Sequence, residues 1–429
     1  MKVYLDFDRD KLAVEIPEKH LLKVVEMKDT PFLTNPIHLL NEKLNTSNFS
    51  KKLRSRSLKS DSVCIVVSDK TRPVPNKIIL PPILEFLQNS GIKRENITIL
   101  IANGMHPPLK EKEIQDLLGK DIAGKYEVIN HNAYDDNSNI FLGETSNKTP
   151  IYINSTYYRA SFKILTGFIE PHFMTGFSGG RKSICPGISS FKTIKVHHSP
   201  KFLESPFSAP GILEGNPCHK ESLEIAKKAG VDIIVNVTLD SQKRITGIFV
   251  GDLEEAHLEG VKFCEGHITN YLNELADIVI TSGGGYPLDC NFYQTVKGLV
   301  GALNIVKEGG TIIIVSGCQE GIGSDAFKKL LMEMESPEQF IEKISHPDYF
   351  VVDQWEVEEL VKVWKKVKVK MFSTGLNEEE MKICHMEGIK NIEKAIKETI
   401  LEYGESTKIV VIPQGPYVIP KLNERIKIC

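Results

Sequence analysis

The sequence predicts a two-domain α/β protein, each domain a mostly parallel sheet flanked by helices. Three observations lead there. A length of 429 residues fits two or three domains at about 150 residues each. Short apolar runs alternate with segments of helical period, the rhythm of βαβ units. A second, complete βαβ pattern begins after residue 270. The expected domains are therefore 1–270 and 271–413, with a tail, 414–429, that folds back onto the first.

In chain order, Val3, Leu5, Leu12, Val14 and Ile16 mark a small β start, followed by a polar, Ser/Lys-rich stretch to about residue 60. SVCIVVSD (62–69) reads as a buried parallel strand, and NKIILPPILEFLQNSG as a helix closing on Gly91. ENITILIANG is a strand, KEKEIQDLLGKD a helix and KYEVINHN a strand. Two more strands, PIYIN and FKILTGFIE, precede the Gly/Ser/Pro-rich segment 171–200, which is long enough for a loop to imply function. HKESLEIAKKAG, DIIVNVTLD, RITGIFVG and LEEAHLEGVKFCEGH continue as helix, strand, strand and helix. ADIVITSGGG, NFYQTVKGLVGALNIV and GTIIIVSGC then form the second βαβ, helices dominate 325–403, and KIVVIPQGPY is a last strand.

Composition excludes several classes. Fifty-three Lys+Arg against 56 Asp+Glu leave a net charge of -3, which offers no general attraction to nucleic acid or anionic lipid. Eight cysteines without a Cys-x-x-Cys pair support neither a disulfide framework nor a zinc ribbon. No signal peptide or membrane-spanning run is read, so a cytoplasmic protein without a membrane partner is expected.

Ligands of open α/β sheets bind beyond the carboxyl ends of strands. Those positions hold Asp69, Lys70, Thr71 and Arg72; Asn103, Gly104, Met105 and His106; Glu170, Pro171 and His172; and Gly283–Gly285 with Tyr286. GFSGGRKS (176–183) departs from a phosphate-binding P-loop, because Arg181 stands where its second Gly belongs. Its consecutive glycines and the charges of Arg181 and Lys182 still suit an anion, or else form a turn with solvated cations. The triple glycine lacks the spacing of a dinucleotide fingerprint. His20, His38, His131, His257, His267, His346 and His385 sit in contexts that suggest solvated or capping roles; His106, His172, His197 and His198 do not.

Together SDKTRPVP (68–75), ANGMHPP (102–108), PHFMTGFSGGRKSICPGISSFKTI through HHSP (171–200), YQTVKG (293–298) and DQW (353–355) resemble the nickel-pincer-nucleotide lactate racemase family, in order along nearly the whole chain. The resemblance implies that Lys182 carries, through a thioamide, a pyridinium-3-thioamide-5-thiocarboxylic acid mononucleotide that holds nickel. It implies His198, with His197 as its neighbour, as the nickel ligand, a normal role for imidazole. Asp69, Lys70, Thr71, Arg72, Ser183, Ile184, Cys185 and Pro186 are implied as cofactor contacts. Gln294, Lys297, Tyr293, Trp355 and Arg72 are implied as substrate contacts, and His106 and His172 as the two catalytic bases.

The implied chemistry has its own logic. A C–H bond beside a hydroxyl and a carboxylate is too weak an acid for a side chain to ionise. Hydride departure coupled to loss of the hydroxyl proton gives a planar 2-keto acid, and hydride return to the other face inverts the centre. Two bases are then needed, and histidine suits both. The expectation is a racemase of a short 2-hydroxy acid, lactate first, matured by cofactor-biosynthesis proteins. The alternatives are a racemase or epimerase of malate, an aromatic hydroxy acid or a sugar acid, and a non-catalytic binder of nickel or a phosphorylated metabolite. Because Gln294 and Lys297 fall in the expected second domain and Lys182, His106 and His172 in the first, the resemblance implies an active site in the interdomain cleft, whose closure is expected to exclude water from the reaction.

Overall fold

Apolar alternation along Val63–Ser68 decides the architecture of residues 29–266. Ile65 and Val67 pack on one side with Ile79, Ile83 and Leu87, while Cys64 and Val66 pack on the other with Ile184, Ile188 and Ile225. A strand buried on both faces needs helices on both faces, which parallel connections supply. The computed structural model describes residues 1–54, 61–346 and 349–423. They fall into two units, Asp29–Gly266 and Met1–Lys28 with the chain from His267 onward.

The first unit holds a six-stranded sheet in the order Ile245–Gly251, Ile233–Leu239, Phe162–Phe168, Val63–Ser68, Ile97–Ala102, Glu127–Asn130. All neighbours are parallel except the pair Ile233–Leu239 and Ile245–Gly251. From Val63–Ser68 the chain steps outward to Ile97–Ala102 and Glu127–Asn130. It then returns to the other side of its starting strand with Phe162–Phe168. The switch point thus lies between Val63–Ser68 and Phe162–Phe168, where loops leaving the carboxyl ends diverge and open a crevice.

The second unit holds a parallel six-stranded sheet in the order Glu387–Gly388, Lys368–Phe372, Val306–Val315, Ala276–Ser282, Ile409–Ile412, Leu21–Val24. The hairpin Lys2–Phe7 and Asp10–Glu15 lays Val3, Leu5 and Val14 against Ile278, Ile280 and Val411. Gly298 lets the helix Phe292–Ala302 approach this sheet, since a Cβ there would stand 2.4 Å from the Ser282 carbonyl oxygen.

Three expectations are corrected. The first domain does not begin at residue 1: Leu21–Val24 pairs with Ile409–Ile412 and takes residues 1–28 into the second unit. The tail does not return to the first domain as far as residue 423, because Ile419–Leu422 pairs with Thr269–Leu272 in the second unit; residues 424–429 lie outside the described residues. The helical span 325–403 contains two strands, Lys368–Phe372 and Glu387–Gly388. Among the described residues no helix is long and apolar enough to cross a membrane.

Several histidines read as solvated are interior. His20 Nδ1 bonds the Thr407 carbonyl at 3.0 Å. His131, 1% exposed, donates from Nε2 to the Ser189 carbonyl at 2.9 Å, joining the end of strand Glu127–Asn130 to the loop before residue 190. Burial lowers its imidazole to about 4, which outweighs the Ser189 bond. The unfolded chain takes this proton near 6.5 and the folded chain only near 4, so stability is lost as pH falls through that window. The full effect is about 3 kcal/mol, at roughly 1.4 kcal/mol per unit. Urea unfolding at pH 7.5 and 4.5 should therefore show a smaller acid loss in His131→Gln than in the parent, and a variant already weaker at pH 7.5.

Candidate active site

Asp69 is the first residue beyond strand Val63–Ser68, at the switch point, and is buried. One carboxylate oxygen accepts the Thr71 N–H at 3.2 Å and the Thr71 hydroxyl at 2.6 Å, a local turn that aspartate favours. The other lies 2.6 Å from His106 Nδ1. Burial pushes the Asp69 carboxyl up. The charge and hydrogen bond of His106, the Thr71 hydroxyl and the charge of Arg72 more than reverse this and leave it below the usual range. His106 follows strand Ile97–Ala102, its N–H bonded to the Asn103 carbonyl at 2.9 Å and its side chain 47% exposed. Arg72 pairs with Glu170, beyond strand Phe162–Phe168, at 2.8 Å. Lys70 behaves differently: it bonds Glu113 at 2.6 Å with a side chain 59% exposed, as a surface cation does.

His172 lies on a two-residue strand paired with Gly176–Phe177. Its Nδ1 accepts the main-chain N–H groups of Met174 at 3.2 Å and Thr175 at 3.3 Å, and its ring stacks on Phe173. The turn is possible because residue 176 is glycine: its φ is +75°, and a Cβ would meet the Ile212 carbonyl oxygen at 2.1 Å.

Arg181 is not the anion-facing cation that the Gly-rich segment suggested. It is 1% exposed. Its Nη2 donates to the carbonyls of Thr175 at 2.9 Å and Phe177 at 2.8 Å, and its Nη1 lies 2.9 Å from His257 Nε2. A guanidinium only donates, and the same Nε2 lies 2.9 Å from the Ser178 carbonyl, which only accepts, so this nitrogen bonds Arg181 when bare and Ser178 when protonated. Burial holds that imidazole well below its ordinary range, helped by the Arg181 charge; burial also lowers Arg181 itself, to about 9. The guanidinium thereby clamps the hairpin of His172 to the helical turn Gly180–Ser183 that carries Lys182. Asn236, buried mid-strand, adds a second hold by accepting the Gly180 N–H at 2.8 Å.

Lys182 itself is partly exposed. Ser183 donates to the Thr166 carbonyl at 3.2 Å. Ile184 and Cys185 are fully buried in the core beneath, burial pushing the Cys185 thiol up to about 12, while Pro186 is partly exposed. The two core side chains can serve a ligand only through their backbone.

Helix Phe191–His197 ends on His197 and His198. His197 Nε2 faces the Cys218 carbonyl at 3.0 Å and the Ser222 hydroxyl at 2.7 Å, and that hydroxyl donates to the same carbonyl at 2.8 Å, so Nε2 carries the proton and Nδ1 accepts. His198 Nδ1 lies 3.2 Å from that Nδ1 and 3.3 Å from the Ile194 carbonyl, so it donates and leaves its lone pair on Nε2. Burial, then the charges of His197 and Lys182, hold His198 well below the usual imidazole range. A neutral imidazole with a lone pair on Nε2 fits a soft divalent metal, and His197 is the outer partner that sets its tautomer. Among the described residues no three His, Cys, Asp or Glu side chains gather into a metal site.

In the other unit, Asn291 caps helix Phe292–Ala302 by accepting the Gln294 N–H at 3.0 Å, and Lys297 Nζ donates to Gln294 Oε1. Trp355 Nε1–H donates to the Tyr293 hydroxyl at 3.0 Å. Burial and the negative charges of Glu356 and Asp353 hold that phenol well above its ordinary range. The glycines after strand Ala276–Ser282 serve a backbone junction. Tyr286 N–H bonds the Asp8 carbonyl at 2.6 Å, and Asp289 accepts the N–H groups of Asp8 at 2.8 Å and Gly317 at 2.9 Å.

The model of the lactate racemase N-terminal domain matches residues 7–211, and that of the lactate racemase C-terminal domain matches residues 272–419. A lactate racemase of Thermoanaerobacterium thermosaccharolyticum is 34% identical over 421 residues, 97% of this chain and 98% of that protein. One from Lactiplantibacillus plantarum is 37% identical over 374 residues, 87% of this chain and 88% of that protein. The structure of the lactate racemase apoprotein from T. thermosaccharolyticum superposes with a TM-score of 0.91 at 33% identity, covering 98% of this chain and 100% of that one. A crystal structure from Thermotoga maritima shares the fold, with a TM-score of 0.70 at 18% identity, covering 92% and 100%.

The clamp can be tested by Arg181→Lys. An ammonium cannot reproduce the planar fork, which leaves a buried carbonyl unpaired at a cost of about 1–3 kcal/mol. The urea midpoint should drop accordingly, with the slope of the transition unchanged.

Proposed function

The chain belongs to the lactate racemase family, whose named members are isomerases, and from that membership we propose that it interconverts the D and L forms of a short 2-hydroxy acid, lactate first. The observation that carries the proposal is the gathering at one switch point of His106, held by a buried carboxylate, His172, and the clamped turn that presents Lys182. These are the groups that proton movement and cofactor attachment require.

A nickel-pincer nucleotide on Lys182, its nickel on His198 Nε2, would supply the carbon that accepts and returns hydride. The residues of the chain do the rest. Lys297 and Gln294 hold the substrate carboxylate, since a cation and an amide three residues apart share one helix face. Tyr293 and Trp355, joined by their hydrogen bond, are the aromatic contacts proposed for the substrate. Arg72, anchored on Glu170, is proposed as a further contact to substrate or cofactor. His106 and His172 take and return the hydroxyl proton, one for each enantiomer, around a planar 2-keto acid. The nucleotide comes from other proteins, and the setting proposed is the cytoplasm.

The test uses matured enzyme with D- or L-lactate in deuterated water. His106→Ala and His172→Ala should each lower racemisation by about 10²–10⁴-fold, while the intact mass retains the adduct on Lys182. Product should carry no solvent deuterium at C2. Deuterium at C2, or full activity in both variants, would overturn the proposal.

A further inference from the structure

What faces each ring nitrogen decides where a neutral histidine keeps its proton. Main-chain N–H groups are permanent donors. His172 Nδ1 accepts two of them, from Met174 and Thr175, so it bears no proton and the neutral ring carries its hydrogen on Nε2. His106 meets the opposite partner. Its Nδ1 lies 2.6 Å from a carboxylate oxygen of Asp69, and an ionised carboxylate only accepts. The proton therefore sits on Nδ1, and the lone pair on Nε2.

We infer that Asp69 is a positioning residue for His106, not a contact to the cofactor, and that the two histidines stand in opposite tautomers. His106 is ready to accept a proton at Nε2; His172 offers one there as a hydrogen-bond donor. This rests on the proposed function, which makes both rings the proton acceptors of the reaction. When the substrate hydroxyl faces His106, the O–H bond breaks and its proton moves to Nε2. The resulting imidazolium lies against the Asp69 carboxylate; the bound cofactor would supply the carbon that takes the hydride, with its electron pair, from C2. His172 can play the same part only after its ring turns away from the amides of Met174 and Thr175. The two directions of one reaction thus start from unequal proton acceptors.

Asp69 is built to allow a sharp test. Its other oxygen is held by two donors, the N–H and the hydroxyl of Thr71. In Asp69→Asn those donors keep the amide oxygen, which turns the NH₂ group toward His106 Nδ1 and forces the imidazole proton onto Nε2. The substitution should invert the tautomer without changing the size of the side chain.

The first measurement is a ¹⁵N–¹H spectrum of the full chain labelled in histidine, recorded in mild alkali where the rings are neutral and assigned through His106→Gln and His172→Gln. It should show Nδ1–H for His106 and Nε2–H for His172; one shared tautomer would overturn the inference, and this needs no variant of Asp69. The second is matured Asp69→Asn, expected to show Nε2–H at His106 and the same Lys182 adduct mass. Its kcat/KM should fall by about 10²–10⁴-fold and equally for both enantiomers, whose free energies are identical. Loss of the adduct would make Asp69 a cofactor contact, and unchanged turnover would remove its positioning role; either overturns the inference. Full racemisation in His106→Gln would instead strike the proposed function, while the tautomer spectrum stands on its own result.

Discussion

A buried guanidinium organises this site. Among the described residues, the hydrogen-bond acceptors of Arg181 are neutral: the carbonyls of Thr175, Phe177 and Gly179, and the imidazole of His257. A desolvated charge is costly unless its donors are matched, and the buried Nε has no partner among the described residues, so the carbonyls that meet the two Nη groups have little freedom to move. Thr175 and Phe177 belong to the hairpin that carries His172 and Gly179 precedes the turn that holds Lys182, so one ion correlates the positions of these two residues. Nearby cations are used otherwise: Arg72 answers a carboxylate and Lys70 lies at the surface.

Around that anchor, histidines are sorted by their partners. The carbonyl of Cys218 sets His197, and His197 in turn sets His198; a carboxylate sets His106; two amides set His172. Four chemically identical rings thereby acquire four different hydrogen-bond settings. Burial keeps His197 and His198 uncharged, which a metal ligand requires.

Much of the fold was legible in the sequence, because both sheets are built from apolar runs too short for helices and bounded by turns. Leu21–Val24 was not. It has four partly buried residues, and its partner, Ile409–Ile412, lies at the far end of the chain, so no local pattern links them. Lys368–Phe372 was hidden by its lysines. In the candidate site, the ends of the apolar runs were enough to place His106 and His172 beyond strands Ile97–Ala102 and Phe162–Phe168. Burial was what could not be read. Arg181 and Lys70 look alike as cations beside a strand or a glycine, yet one is interior and one exposed. The partners that distinguish His197 from His198, the Cys218 and Ile194 carbonyls, leave no mark in a run of two histidines. Asn236 did leave a signal, an amide in the middle of an apolar strand.

The pairing of Leu21–Val24 with Ile409–Ile412 also bears on how the molecule is made. Residues 29–266 emerge from the ribosome as an uninterrupted stretch whose sheet needs nothing later in the chain, so that part can fold during translation. Leu21–Val24 is made before all of this and stays without its partner strand until Ile409–Ile412 has been made. The growing chain thus carries an exposed β segment while the intervening residues are synthesised, a natural binding point for a chaperone.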